Sequence, residues 1–264
     1  MTIPKLLNHG VLPLCGIAAL LLTMAPAAMQ AQFGPPPPAT PPRPAKAIAP
    51  EDITGYWVSI VTEDWRWRMV TPPKGDYASL PLNAAGKKTA DGWDPDKDIA
   101  AGNQCKAYGA PAVMRVPGRV HISWTDDNTL KVETDAGTQT RTFHFNGKPP
   151  ANEAASWQGY SAATWDGLRP APRGGGTPPP GGSLKVVTSN LKPGYLRKNG
   201  VPYSATTELT EYYDRTNEPN GDSWLIVTTI VHDPVNLTQD FVTSTHFRLE
   251  KDGSKWSPSA CEAK

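Results

Sequence analysis

The chain has 264 residues, a formal net charge of +1 at neutral pH and 38% hydrophobic residues. Basic and acidic side chains are balanced and form no block of one sign. This composition lacks the electrostatic footprint of a protein that binds nucleic acid or lies on an anionic membrane surface.

The N-terminal residues 1–31 have the pattern of a signal peptide. Lys5 provides a positive charge, residues 11–28 are almost wholly apolar, and small residues follow, with cleavage expected between Ala27 and Ala31. A membrane anchor is the alternative, because about 18 apolar residues is the lower limit for a span. The small residues and the lack of a basic flank favour the signal peptide. We therefore expect a periplasmic or secreted protein with no stable membrane insertion after cleavage.

Proline dominates the next segment. Residues 32–50 include four consecutive prolines from Pro35 to Pro38, which predicts an extended, disordered tether. Residues 51–264 have the length of a single domain.

Two cysteines remain after signal cleavage, because Cys15 lies in the apolar part of the signal. An even number of cysteines in an exported chain indicates a disulfide, here Cys105 with Cys261. Two free thiols are the alternative.

The domain shows strand patterns through most of its length and one helix candidate. The helix candidate is 82–102, with Asp94-Pro95 as a helix start. The segment 64–70, in which Trp and Arg alternate, has the period of a strand. Further strands are predicted at 53–63, 119–124, 129–134, 138–145, 157–165, 184–189, 206–213, 224–231 and 241–249.

Regular spacing and turn residues between these segments predict an all-β fold with one short helical segment. We expect an antiparallel meander that forms a barrel or a cup. A sandwich is the alternative, because its strands show the same alternation.

Two resemblances follow from short motifs. Gly55-Tyr56-Trp57 on the first strand resembles the Gly-x-Trp start of lipocalins, which bind apolar ligands inside a barrel. A longer series resembles a widespread group of exported, largely uncharacterised β-rich bacterial proteins, which implies export, a β fold and the disulfide, but no activity. This series comprises Cys105, residues 141–149, 157–161, 165–167, 184–188 and 200–204, Thr210-Glu211 with Arg215, Asp233-Pro234 and Cys261-Glu262. The chain departs from the group by an inserted Pro/Gly loop that ends at Gly182.

Charged residues share strand faces with apolar ones. Glu211 lies on the face of Tyr213, Arg215 continues that face, and Arg141 lies on the face of Phe143. A carboxylate on an apolar face must be paired or neutral. Glu211 with Arg141 or Arg215 is therefore either an anchor for a ligand, with Glu211 as a candidate catalytic base, or a structural ion pair.

Aromatic side chains offer a lining for such a site. Trp57, Phe143 and Tyr213 are the candidates that would contact an apolar ligand, as aromatic rings do in binding cups. The alternative is that they form the ordinary core of an all-β domain.

Histidine positions do not favour a metal site. His121, His144 and His246 each lie opposite the apolar face of their strand, and no motif for a metal or a cofactor is present. We expect neither.

These patterns lead to three functional hypotheses. The first is a cell-envelope protein that binds a small apolar or aromatic molecule in a barrel cup, anchored by Arg141, Glu211 and Arg215. The second is a cofactor-independent acid–base enzyme (a lyase, isomerase or hydrolase) with Glu211 as base. The third is a structural or partner-binding module, whose protein partners the sequence does not identify.

Overall fold

Nine strands close into a barrel in the computed structural model, which describes residues 43–167 and 182–264. The all-β barrel prediction is confirmed. The strands are β1 (Gly55–Ile60), β2 (Arg119–Asp126), β3 (Thr129–Thr134), β4 (Gln139–Phe145), β5 (Tyr160–Asp166), β6 (Ser183–Ser189), β7 (Gly194–Arg197), β8 (Val201–Tyr203), β9 (Glu208–Asn217), β10 (Ser223–His232) and β11 (Phe241–Glu250). Strands β7 and β8 pair with each other outside the barrel.

The barrel is a meander with one parallel step. Its order is β1-β2-β3-β4-β5-β6-β9-β10-β11, and β11 closes on β1. An odd number of strands cannot close with antiparallel pairs alone, so two neighbours must run in the same direction. That pair is β4 with β5, where Phe143 is opposite Ser161, and the long connection between them carries the chain back to its starting end.

The turn between β3 and β4 shows how local sequence sets the strand register. Gly137 and Thr138 have φ values of 77° and 48°, the positive values that tight hairpin turns require. A side chain at Gly137 would also collide with the ring of Tyr108, only 2.3 Å from an added Cβ. Glycine is therefore needed there for both backbone and packing.

Four short α-helices accompany the barrel, more than the single helical segment predicted. They are α1 (Trp65–Arg68), α2 (Ala84–Asp91), α3 (Pro95–Ala100) and α4 (Ala110–Val113), with 3-10 turns at Ala45–Ile48 and Lys106–Tyr108. The predicted start at Asp94-Pro95 is correct, because the Asp94 side chain caps α3 and Pro95 is its first residue. The candidate helix 82–102 is in fact two helices, interrupted at Gly92 and Trp93.

The predicted strand at 64–70 is wrong. The chain turns at Asp64, whose φ is 49°, and Trp65–Arg68 forms a helical turn. An ion pair between Glu63 and Arg68 closes this turn. A second ion pair, between Asp64 and Arg115, holds it beside the end of α4. Trp65 and Trp67 therefore lie on a helix, and the alternation of Trp and Arg reflects no strand pairing.

Side chains fill the barrel and cover both of its ends. At one end, Ala45 and Ile53 pack into the same core as Trp57 and Phe143. At the other, a second cluster joins Leu209, Val231 and Phe241 of the barrel to residues of α2, α4, β7 and β8. We call residues 43–53, which cross the first end, the strap.

The strap includes residues predicted to belong to the disordered tether. Ala45 accepts a hydrogen bond from the indole of Trp165 (2.8 Å), and its own N–H donates to Asn128 (2.9 Å). The ordered structure thus begins before the predicted boundary at residue 51. The signal peptide and the rest of the tether lie outside the described residues.

The predicted disulfide between Cys105 and Cys261 is confirmed, with 5.1 Å between the two Cα atoms. It fixes the C-terminal tail beside the 3-10 turn that precedes α4. Among the described residues, no helix is long and apolar enough to cross a membrane.

Candidate functional site

Arg141 and Glu211 meet inside the barrel, as strand parity predicted. The two terminal nitrogens of Arg141 donate to the two carboxylate oxygens of Glu211 at 3.0 and 2.5 Å. Tyr213 donates to Glu211 (3.2 Å), and Thr188 accepts from Arg141 (3.2 Å). The pair is a bidentate ion pair with polar neighbours on both sides.

This pair has no access to solvent. The exposed fractions of the Arg141 and Glu211 side chains are 1% and 0%. Burial alone would lower the pKa of Arg141, but the charge of Glu211, the Tyr213 hydroxyl and the hydrogen bonds to both groups together raise it. Burial also raises the pKa of Tyr213 well above its usual value, and Glu211 adds to the effect. Arg141 and Tyr213 therefore both stay protonated across physiological pH, which suits a structural role.

The other predicted ligand contacts do not surround an open space. Phe143 lies under the Arg141 guanidinium (4.9 Å) and packs edge-on against Tyr213 (5.5 Å). Trp57 is fully buried and donates to the Ile53 carbonyl at 3.0 Å. The aromatic residues thus form the packed core.

Arg215 does not join the pair. Its guanidinium lies over the Trp57 ring (5.7 Å) and donates to the Asp52 carbonyl, while its main-chain N–H donates to Glu51 (2.9 Å). Burial raises the pKa of the Glu51 carboxyl, and this N–H opposes the rise. Arg215 therefore fastens the strap to the end of the barrel.

The predicted outward position of the histidines agrees with the structure. His121 stacks on Tyr56 (4.1 Å) and His144 on Tyr160 (4.9 Å). Within residues 43–167 and 182–264, no three potential metal ligands of the His, Cys, Asp and Glu types come together.

A second group of arginines lies at the end of the barrel that the helices cover. Arg68 of α1, Arg115 after α4 and Arg197 of β7 line a cavity of about 190 Å³, which we call the arginine cavity. All three are at least nine-tenths buried, with exposed fractions of 9%, 7% and 6%. Lys198, Glu262 and Lys264 also contribute to its wall.

The arginine cavity is short of hydrogen-bond acceptors. Arg68 pairs with Glu63, and Arg115 pairs with Asp64 at 2.8 Å. Even so, Nη2 of Arg68 and Nη1 of Arg115 are buried without a hydrogen-bond partner in the described part of the chain. A buried donor left without a partner costs about 1–3 kcal/mol, and more when it is charged.

Positive charge is also in excess there. Arg197 forms no ion pair with any described residue and donates instead to the main-chain oxygen of Ala78 (3.1 Å). Burial and the neighbouring charge of Arg115 together lower its pKa to about 10, although the carboxylates of Asp64 and Asp76 oppose the fall. Burial likewise lowers the pKa of Arg68, with Glu63 opposing and Arg115 adding to the fall. An anion in the cavity would offset this positive charge and the cost of burying it.

Sequence reasoning missed this cavity. Its three arginines come from segments far apart in the chain, and only the tertiary fold brings them together. The one local signal is the segment 64–70, where arginines and tryptophans alternate, and that alternation predicts a strand instead of a site.

Known proteins offer no further guide to the site. Compared with protein-family models, curated proteins and solved structures, the chain shows no match to any of them. The resemblances to lipocalins and to exported β-rich bacterial proteins stay predictions.

Proposed function

We propose that the protein is an exported binding protein that takes up a small anionic molecule in the arginine cavity. The observation that carries this proposal is that three buried arginines, Arg68, Arg115 and Arg197, line one cavity, and that Arg68 and Arg115 each have a guanidinium N–H group without an acceptor among the described residues. A carboxylate or phosphate oxygen accepts such bonds with good geometry.

The proposal keeps small-molecule binding but moves the site out of the barrel. Arg141 and Glu211 form a bidentate pair that is fully buried, so their proposed role is structural, with neither ligand contact nor catalysis by Glu211. Export is supported by the Cys105–Cys261 disulfide, since such bonds persist in oxidising compartments. The predicted signal peptide agrees with a periplasmic or secreted location.

The test is thermal denaturation with phosphate, sulfate or acetate, with ionic strength kept constant by chloride. A ligand that binds only the folded state raises the free energy of unfolding. At ligand concentrations above Kd, the rise grows with the logarithm of the ligand concentration. We expect a rise in Tm with at least one anion that exceeds the effect of chloride.

Two variants assign the effect to the cavity. Arg115→Gln should abolish the rise in Tm, with folding verified by circular dichroism. Arg248→Gln is the matched control, because it removes the same charge from an exposed position on β11 and should leave the rise intact. An anion effect equal to that of chloride, or one that survives in Arg115→Gln, would refute the proposal.

Native mass spectrometry of the protein isolated from the cell envelope would supply the ligand itself. A mass excess that disappears on denaturation, and that is missing from Arg115→Gln prepared in the same way, is the expected result.

A further inference from the structure

We infer that the anion bound in the arginine cavity is the head of an amphiphile, whose apolar part lies in a groove beside α1. This inference rests on the proposed function and specifies the class of ligand. It comes from the shape and chemistry of the surface next to the arginines.

The wall of the arginine cavity is only partly charged. It also includes the apolar residues Met69, Val70, Val116, Pro117 and Leu196. An inorganic anion would satisfy the arginines but would leave these carbons in contact with water. A ligand with carbon next to its charged group would cover both.

A second cavity adjoins the first and shares part of its wall. It has a volume of about 280 Å³, and Trp67, Met69, Val70 and Thr71 line both spaces. Its other walls include Trp65, Pro72 and Pro73. We call this second space the apolar groove.

The apolar groove exposes large hydrophobic side chains that folding has left uncovered. Trp65, Met69 and Val70 are 66%, 59% and 70% exposed. Single exposed hydrophobic residues are common, but a contiguous set next to a pocket marks a binding surface. These three lie together within one short stretch of chain.

The sizes favour one small molecule that spans both spaces. Typical small-molecule sites have volumes of about 300–1,000 Å³. The arginine cavity (190 Å³) and the apolar groove (280 Å³) each fall below this range, and together they enter it. The occupant we assign is a single free amphiphile with a carboxylate or phosphate head and an alkyl or aromatic tail.

The experiment measures affinity along a homologous series of n-alkyl carboxylates and n-alkyl phosphates, each kept in monomeric solution. Complete burial of a methylene group contributes about 0.8 kcal/mol, or roughly fourfold in Kd. Because the groove is open on one side, we expect each added methylene to tighten binding about two- to fourfold until the groove is full.

Variants separate the head from the tail. Trp65→Ser should weaken the dependence on chain length while leaving the affinity for the inorganic anion unchanged, because Trp65 lines the apolar groove but not the arginine cavity. Val242→Ser is the matched control, since Val242 is similarly exposed (58%) but lies on β11, and it should behave like the wild type.

Each alternative result contradicts a defined part of the argument. Inorganic anions that bind without any gain from the alkyl chain would overturn the amphiphile and leave the anion site standing. Binding to anionic phospholipid vesicles without binding of the monomeric series would replace the free ligand by a membrane surface and overturn it as well. If no anion binds at all, the proposed function fails together with this inference.

Discussion

Buried arginines occur in two places in this protein, and their surroundings differ. In the barrel, both terminal nitrogens of Arg141 bind the same carboxylate and also contact Thr188 and Tyr213, and only its Nε lacks an acceptor among the described residues. In the arginine cavity, three guanidinium groups share two carboxylate partners, and two N–H groups have no acceptor among the described residues.

The comparison shows how a buried charge with a structural role can be distinguished from one that binds a ligand. A buried ion pair whose partners satisfy each other offers nothing to a ligand, whatever its position in a barrel. Incomplete pairing costs stability, and beside a cavity an anion from outside the chain can complete it. The barrel pair was the more obvious candidate from the sequence, and the cavity is the better one in the structure.

The largest expected effect is on the barrel pair. Glu211→Gln leaves the Arg141 charge buried without compensation, which costs about 3–5 kcal/mol of the free energy of unfolding. Urea denaturation measures this loss. The double variant Arg141→Met/Glu211→Leu should recover most of it, and a Glu211→Gln protein as stable as the wild type would contradict a structural role.

Loss of the disulfide should affect both stability and the cavity. Cys105→Ser/Cys261→Ser should lower the free energy of unfolding by about 2–4 kcal/mol. The disulfide also holds the tail that carries Glu262 and Lys264 into the cavity wall, so the affinity for the anion should fall as well. Denaturation and anion titration of the same preparation measure the two effects, and an unchanged affinity would show that the tail is not part of the site.

Arg197→Met should affect anion binding more than stability, the opposite of what we expect for Glu211→Gln. Arg197 forms no ion pair in the described structure, and burial already disfavours its charge, so its loss should change the free energy of unfolding by less than about 1 kcal/mol. Anion affinity should fall at least tenfold, because charge-assisted bonds to a buried anion are strong. A large loss of stability with unchanged affinity would remove the contrast between the two regions.

The smallest expected effect concerns an exposed ion pair. Hydrogen bonding to Asp240, together with its negative charge, raises the pKa of His232 above its usual value. The protonated form therefore stabilises the fold below the pKa of the unfolded chain, and this stabilisation disappears as the pH rises through the folded pKa. We expect the value of Tm at about pH 5.5 minus Tm at about pH 9 to be slightly lower in His232→Gln than in the wild type. An identical difference would mean that the pair contributes nothing.

Much of the barrel could be predicted because strands follow a local rule. Alternation placed Arg141 and Glu211 on inward faces, and turn residues such as Gly137 marked the strand ends. Strands β7 and β8 were missed because three or four residues are too few to show a period. The parallel pair was missed because it follows from the closure of an odd number of strands, which no local pattern reveals.

The arginine cavity could not be predicted by the same means. The orientation of Arg68 depends on the turn at Asp64, and that of Arg115 on its ion pair with Asp64. Neither is determined by the spacing of residues along the chain. What identifies the site is a cavity lined by three buried arginines that lack enough acceptors, and that is a property of the folded structure only.

The closure of the barrel also bears on the order of folding events. Strand β1 pairs with β2 on one side and with β11 on the other, so that Tyr56 lies opposite both His121 and Glu250. Pairing across such a sequence distance carries a high entropic cost and is slow. The pairing of β1 with β11, which closes the barrel, requires a strand near the C-terminal end of the sequence. The disulfide cysteine Cys261 lies farther along the chain still. We therefore expect an intermediate with an open sheet to precede the closed barrel, and closure to be among the last steps of folding.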